Sequence, residues 1–118
     1  MYDHIGLRVK NLEAAKKLYA AMLAPLGHVP GSSGKEYAGF GPEGKPALWL
    51  HLDKKGGGAH VAFRAKTKEE VDRFHAAGLK AGAKDNGAPG LRTDYAPNYY
   101  GAFLLDGEGN NVEAVCLR

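Results

Sequence analysis

Apolar residues alternate with small or polar ones at Ile5, Leu7 and Val9, and again at Val61 and Phe63. A period of two predicts strands with one apolar face, leaving His4, Gly6 and Arg8, and then His60, Ala62 and Arg64, on the opposite side. Helical spacing follows each strand, through Leu12, Ala15, Leu18, Tyr19 and Met22 and through Val71, Phe74, Ala77 and Leu79. Asn11 and Thr67 stand where N-caps belong, and Thr67-Lys-Glu-Glu70 has the form of a capping box. Further strands are predicted at about 36–41 and 46–52, and at about 99–105 and 111–117. Asp106-Gly107-Glu108-Gly109 supplies residues that tolerate a hairpin between the last two.

The two halves are versions of one unit. Shifting the chain by 56 residues lays His4–Leu23 on His60–Leu79, and seven of these 20 pairs are identical: His4/His60, Arg8/Arg64, Lys10/Lys66, Glu13/Glu69, Ala20/Ala76, Ala21/Ala77 and Leu23/Leu79. Random pairing would give roughly one or two. The unit, repeated over 1–55 and 56–118, reads as a strand, a helix and two or three more strands. An α+β protein follows, with helices on one face of its antiparallel sheets and the other face free to curl around a ligand.

Composition narrows the function. The 118 residues allow a single domain, 1–118, and 44% hydrophobic with 25% charged residues provide an ordinary core rather than disorder. The net charge of +3 comes from scattered basic residues, which argues against a nucleic-acid partner and suits a small anionic molecule. No apolar stretch approaches a membrane span and the sequence opens without a signal-peptide core, so the expected location is the cytoplasm, away from membranes. The single cysteine, Cys116, agrees with a reducing compartment, and its alternation with Val112 and Ala114 places it in the core.

The same alternation leaves Glu113 beside Val115 on the face turned away from the helices, where a carboxylate is costly to bury unless paired or bound to a cation. His4 and His60, brought together by pseudo-symmetry, would complete with Glu113 a 2-His-1-carboxylate set for a divalent metal. Two strand-end histidines and an edge glutamate facing water are the alternative. Arg8 and Arg64 share the histidine face and either grip an anion or face solvent. Arg92, Tyr95, Asn98, Tyr99 and Tyr100 occupy a Gly- and Pro-punctuated loop that either walls a pocket, with Trp49 opposite, or packs the seam between halves. His75 is expected on the outer surface of its helix and His28 in a turn, both without a role.

The segments Asp3-His-Ile-Gly-Leu-Arg-Val9, Ala59-His-Val-Ala-Phe-Arg64 and Asn98-Tyr-Tyr-Gly-Ala-Phe-Leu-Leu-Asp-Gly-Glu-Gly-Asn-Asn-Val-Glu-Ala-Val115 together resemble the vicinal oxygen chelate superfamily. That superfamily includes glyoxalase, the fosfomycin- and bleomycin-resistance proteins and the extradiol dioxygenases. The resemblance implies two βαβββ modules forming a cupped sheet with the helices outside. It also implies a divalent ion (Fe, Mn, Ni or Zn) on His4, His60 and Glu113, and a small substrate chelated through two adjacent oxygens. In the lyase branch the last-strand glutamate doubles as base, a role that would fall to Glu113. Short relatives are homodimers in which the first module of one chain completes the cup of the other. Trp49 stands where the lyases carry a fourth ligand, with His51 two residues along as a substitute or supporting group. Three protein ligands bring the chain nearer the fosfomycin-resistance and dioxygenase branches. Gly6, however, stands where the former has a polar side chain, and the dioxygenases are usually much longer. The alternatives are a bleomycin-resistance-like protein that sequesters a compound without chemistry, and a scaffold whose curved sheet only dimerises.

Overall fold

The computed structural model describes residues 3–56 and 58–118. The first half runs β1 (Ile5–Val9), α1 (Leu12–Leu23), a 3-10 turn (Ala24–Leu26), β2 (Val29–Ser33), β3 (Tyr37–Gly41) and β4 (Leu48–Leu52). The second repeats this order with β5 (His60–Arg64), α2 (Lys68–Lys80), β6 (Lys84–Leu91), β7 (Tyr100–Leu105) and β8 (Asn111–Cys116). Each half builds its own four-stranded sheet, in the orders β1-β4-β3-β2 and β5-β8-β7-β6. β1 is parallel to β4 and β5 to β8, while the other neighbours are antiparallel. The result is the expected α+β arrangement of two βαβββ modules, each with an open sheet.

The hydrophobic pattern does not reveal β2 and β6, and the reason is their position. Both are outer edge strands that pair through backbone with β3 and β7, with register shifts along the way. Every residue of β2 is exposed. An edge strand wet on both faces has no burial to impose alternation.

Both helices begin as the sequence requires. Asn11 accepts from the Ala14 amide at 3.1 Å, and Thr67 Oγ1 from the Glu70 amide at 3.1 Å. Glu70 reaches back to the Lys66 amide at 2.8 Å, one residue earlier than in a standard capping box. All five predicted inward positions of α1 are buried. In α2 the inward set is Val71, Phe74, His75 and Gly78, and Leu79, expected inside, is exposed. His75 corrects the surface expectation: it is 7% exposed, with Nε2 2.9 Å from Asp85 Oδ1 on β6. Gly78 is required for close approach, because a Cβ there would lie 2.3 Å from Leu104 Cδ1 and 3.1 Å from Met22 Cγ.

The halves join through α1 packed on α2 and through one buried hydrogen-bonded network. The Tyr19 hydroxyl of α1 donates to Asp106 Oδ2 at 2.8 Å, across the module boundary. Asp106 Oδ2 also accepts from Asn110 Nδ2, while Oδ1 accepts the Glu108 and Asn110 amides, all at 2.8 Å. Asn110 Oδ1 in turn takes the Ala59 amide at 2.9 Å, and Glu108 takes the Asn11 amide at 2.6 Å. Burial, with Asp106 next to it, raises the Tyr19 phenol far above its usual range, so the hydroxyl is a permanent donor.

Two substitutions test this packing by urea denaturation. Tyr19→Phe should cost about 1–2 kcal/mol, because it removes one donor from a buried carboxylate. Gly78→Ala should cost about 1–3 kcal/mol by overpacking α2 against β7, despite alanine's better helix propensity. A Gly78→Ala protein as stable as the parent would show that the helix can move away from the sheet at no cost.

Candidate functional site

In β8, Val112, Ala114 and Cys116 turn towards the helices and are buried. Glu113 therefore faces the open side of the sheet, yet it is only 1% exposed. Its cover comes from three places. Phe103 flanks it on β7 and Ala62 on β5 by strand register. His60, at the start of β5, brings Nε2 to 2.8 Å from Glu113 Oε1. The Tyr99 hydroxyl donates to Glu113 Oε2. Burial and then the hydrogen bond to Glu113 raise the Tyr99 phenol, so it holds its proton on the hydroxyl.

Tyr99 reaches the carboxylate because Gly101 lies beneath it; a Cβ there would stand 3.1 Å from the Tyr99 ring and 3.5 Å from Glu113 Oε2. The loop that delivers Tyr99 is tied by Arg92 N to Tyr99 O at 2.7 Å and by the Tyr95 and Ala96 amides to Arg92 O at 3.0 and 3.3 Å. Tyr95, 64% exposed, sets its ring edge-on to Tyr99 at 5.0 Å. The Arg92 guanidinium lies 5.3 Å from the Phe103 ring centre and donates to Ala88 O at 2.6 Å. Asn98 spends its amide on Leu117 O at 2.5 Å, so it anchors the loop to the C-terminal segment.

Tyr100, expected beside a substrate, points the other way: its hydroxyl donates to Asp72 on α2 at 2.6 Å, with Lys68 over its ring. Strand alternation gives the open face to Tyr99 instead, and consecutive tyrosines concealed which of the two it was. Arg64 is exposed on the His60 side.

The first sheet carries the remaining residues. Gly6 pairs with Trp49 in the register in which Ala62 pairs with Glu113, so Trp49 is the structural counterpart of the carboxylate. His51 lies over Gly6, 3.4 Å from where a Cβ would be, and Arg8 has Nη1 4.0 Å from Asp53 Oδ2. His4 precedes β1, is exposed, and brings Nδ1 to 2.8 Å from Asp3 Oδ1.

Among the described residues, no three His, Cys, Asp or Glu side chains converge. Within one chain, the described residues thus do not gather His4, His60 and Glu113 into one cluster. β1 and β5 are edge strands of separate sheets, and the modules join through helices rather than by pairing those strands. As a test of metal fit, the chain offers one imidazole nitrogen and one carboxylate oxygen side by side, a donor pair suited to a divalent ion, and the third donor must come from elsewhere. A separate apolar cavity of about 180 Å³ opens between Asp3–Ile5 and Val61–Phe63. His28 lines it, its ring 6.2 Å from that of Phe63, and burial lowers its imidazole pKa.

Solved structures share this architecture. A glyoxalase/bleomycin resistance protein from Albidiferax ferrireducens superposes with a TM-score of 0.85 at 29% identity, over 98% of each chain. A glyoxalase/bleomycin resistance protein/dioxygenase family enzyme from Burkholderia phytofirmans gives 0.77 at 18% identity, again over 98% of each. A glyoxalase/dioxygenase from Nostoc punctiforme gives 0.72 at 18% identity, over 100% of this chain and 91% of its own. No protein-family model and no curated protein matches the sequence. In three dimensions, as in its motifs, the chain resembles the glyoxalase/bleomycin resistance/dioxygenase proteins of the vicinal oxygen chelate superfamily along its whole length.

Proposed function

We propose that the protein is a divalent-metal-dependent enzyme of the glyoxalase/dioxygenase class, acting on a small substrate chelated through two adjacent oxygens. The observation that carries this reading is the Glu113 carboxylate, 1% exposed and 2.8 Å from His60 Nε2. Among the described residues His60 is the one basic side chain within ion-pair distance of it. A buried carboxylate whose partners are one imidazole and one neutral hydroxyl has no full counter-charge, and a cation would complete the balance. His60 and Glu113 would hold the ion, and when bound it supplies a Lewis acid for a chelating oxygen. The chain's own groups then have definite tasks. Tyr99 keeps its proton and occupies Glu113 Oε2, so Oε1 is the oxygen presented beside His60. Phe103, the β7 partner of Glu113 in register and itself buried, keeps water from the carboxylate. Arg64, exposed on the same side, is available to an anionic substrate.

The third donor in this proposal is His4 of a second copy, in a homodimer whose first module faces the second module of its mate. The exposure of His4, and the lack among the described residues of a third ligating side chain grouped with His60 and Glu113, support that arrangement. Trp49, in the place of a fourth ligand, is a side chain that binds no metal, and the second reading is a non-catalytic binder of small molecules. Metal content separates the two.

Protein purified without a chelating tag and titrated with Mn(II), Fe(II), Ni(II) or Zn(II) should bind about one ion per chain, and His60→Ala or Glu113→Gln should weaken binding at least about tenfold. If no ion binds under any reconstitution, the binder reading replaces this one. Mixing His4→Ala with His60→Ala chains should restore about a quarter of the sites: half the dimers are mixed, and one of their two sites is intact. A monomer by light scattering, or no restoration on mixing, would rule out the shared site.

A further inference from the structure

The open face of the second sheet is covered by its own loop through Tyr99 and Arg92, whereas the first sheet presents a bare aromatic surface. Trp49 lies across Gly39 so closely that a Cβ there would be 2.5 Å from its Cζ3. The His51 ring lies beside Gly6 at ordinary contact distance, 3.4 Å from where a Cβ would be. Tyr37, the β3 partner of His51, is 38% exposed with its ring 6.2 Å from that of Trp49. Gly39 thus lets the indole lie down on the sheet beside His51 and Tyr37, giving a floor of indole, phenol and imidazole. At its edge stands Arg8, paired with His51 in register, its side chain 65% exposed and its nearest acid, Asp53, at 4.0 Å. An exposed ion pair at that distance leaves most of the guanidinium's donors unused.

We infer that this face binds a planar aromatic carboxylate, its ring on Trp49 and its carboxylate on Arg8. Stacking against indole selects for a flat π-system over a saturated ring of equal size, and a guanidinium selects for a planar anion. Taken with the proposed metal site, on which this extension rests, the substrate is an aromatic acid bearing adjacent oxygens. His4 lies two residues before Gly6, at the edge of the same surface.

Trp49 is the single tryptophan, so its indole N–H resonance reports on this face alone. In metal-free protein, benzoate should shift that resonance saturably, with a dissociation constant of about 1 mM. Cyclohexanecarboxylate should bind at least about tenfold more weakly. Arg8→Gln should weaken benzoate about five- to tenfold while leaving the response to benzyl alcohol unchanged. Gly39→Ala, which forces the indole off the strand, should abolish the preference for benzoate over its saturated analogue. Equal responses to benzoate and cyclohexanecarboxylate, no shift with benzoate, or no effect of Arg8→Gln would each overturn the inference. The same titration on His60→Ala protein should match the parent. Failure of metal binding therefore sinks the proposed enzyme while leaving this surface standing, and failure of benzoate binding does the reverse.

Discussion

The structure turns on one buried carboxylate, Asp106. Each of its oxygens accepts two hydrogen bonds, and together they close the β7–β8 turn and reach the Tyr19 hydroxyl in the other module. Asn110, held by that carboxylate, captures the Ala59 amide immediately before β5. The register of β5 on β8 follows, and with it the juxtaposition of His60 and Glu113. A slip of one residue would turn Glu113 into the helix-facing core and expose Val112. The same few bonds that dock the modules thus also aim the site.

Duplication gave the two sheets equal registers, and a handful of side chains then made them chemically different. Where one sheet has Glu113 opposite Phe103, the other has Trp49 opposite Gly39. One sheet thus carries a buried charge beside a ring, and the other a flat indole laid over a glycine. Where Tyr99 crosses Gly101 to reach Glu113, Tyr37 occupies the counterpart of that glycine, because Gly101 pairs with Val115 as Tyr37 pairs with His51. Glycine placement decides which ring lies over which strand, and so which sheet is capped from within and which remains open.

Tyr99, just before β7, and Tyr100, its first residue, show how local geometry divides labour. Tyr99 donates to the carboxylate on the open face and Tyr100 to Asp72 on α2. One residue of strand separates a group that touches the site from one that braces the helix. His75 is a parallel case, an imidazole drawn inside where α2 meets β6 because Asp85 is there to receive it.

The sequence by itself determined the α+β class, the duplication, the helix starts, the inward face of α1, and the side of β8 on which Glu113 lies. Those features rest on periodicity and capping, which act between residues close in the chain. Edge strands β2 and β6 escaped because neither has a fully buried face to impose alternation, and the inward positions of α2 shifted to His75 and Gly78 because β6 and β7 supplied a partner acid and a close surface. The choice of Tyr99 over Tyr100, and the contact of His60 with Glu113, belonged to the tertiary structure alone. Both depend on where separate strands and loops meet, and contacts between residues far apart in sequence leave no period to read.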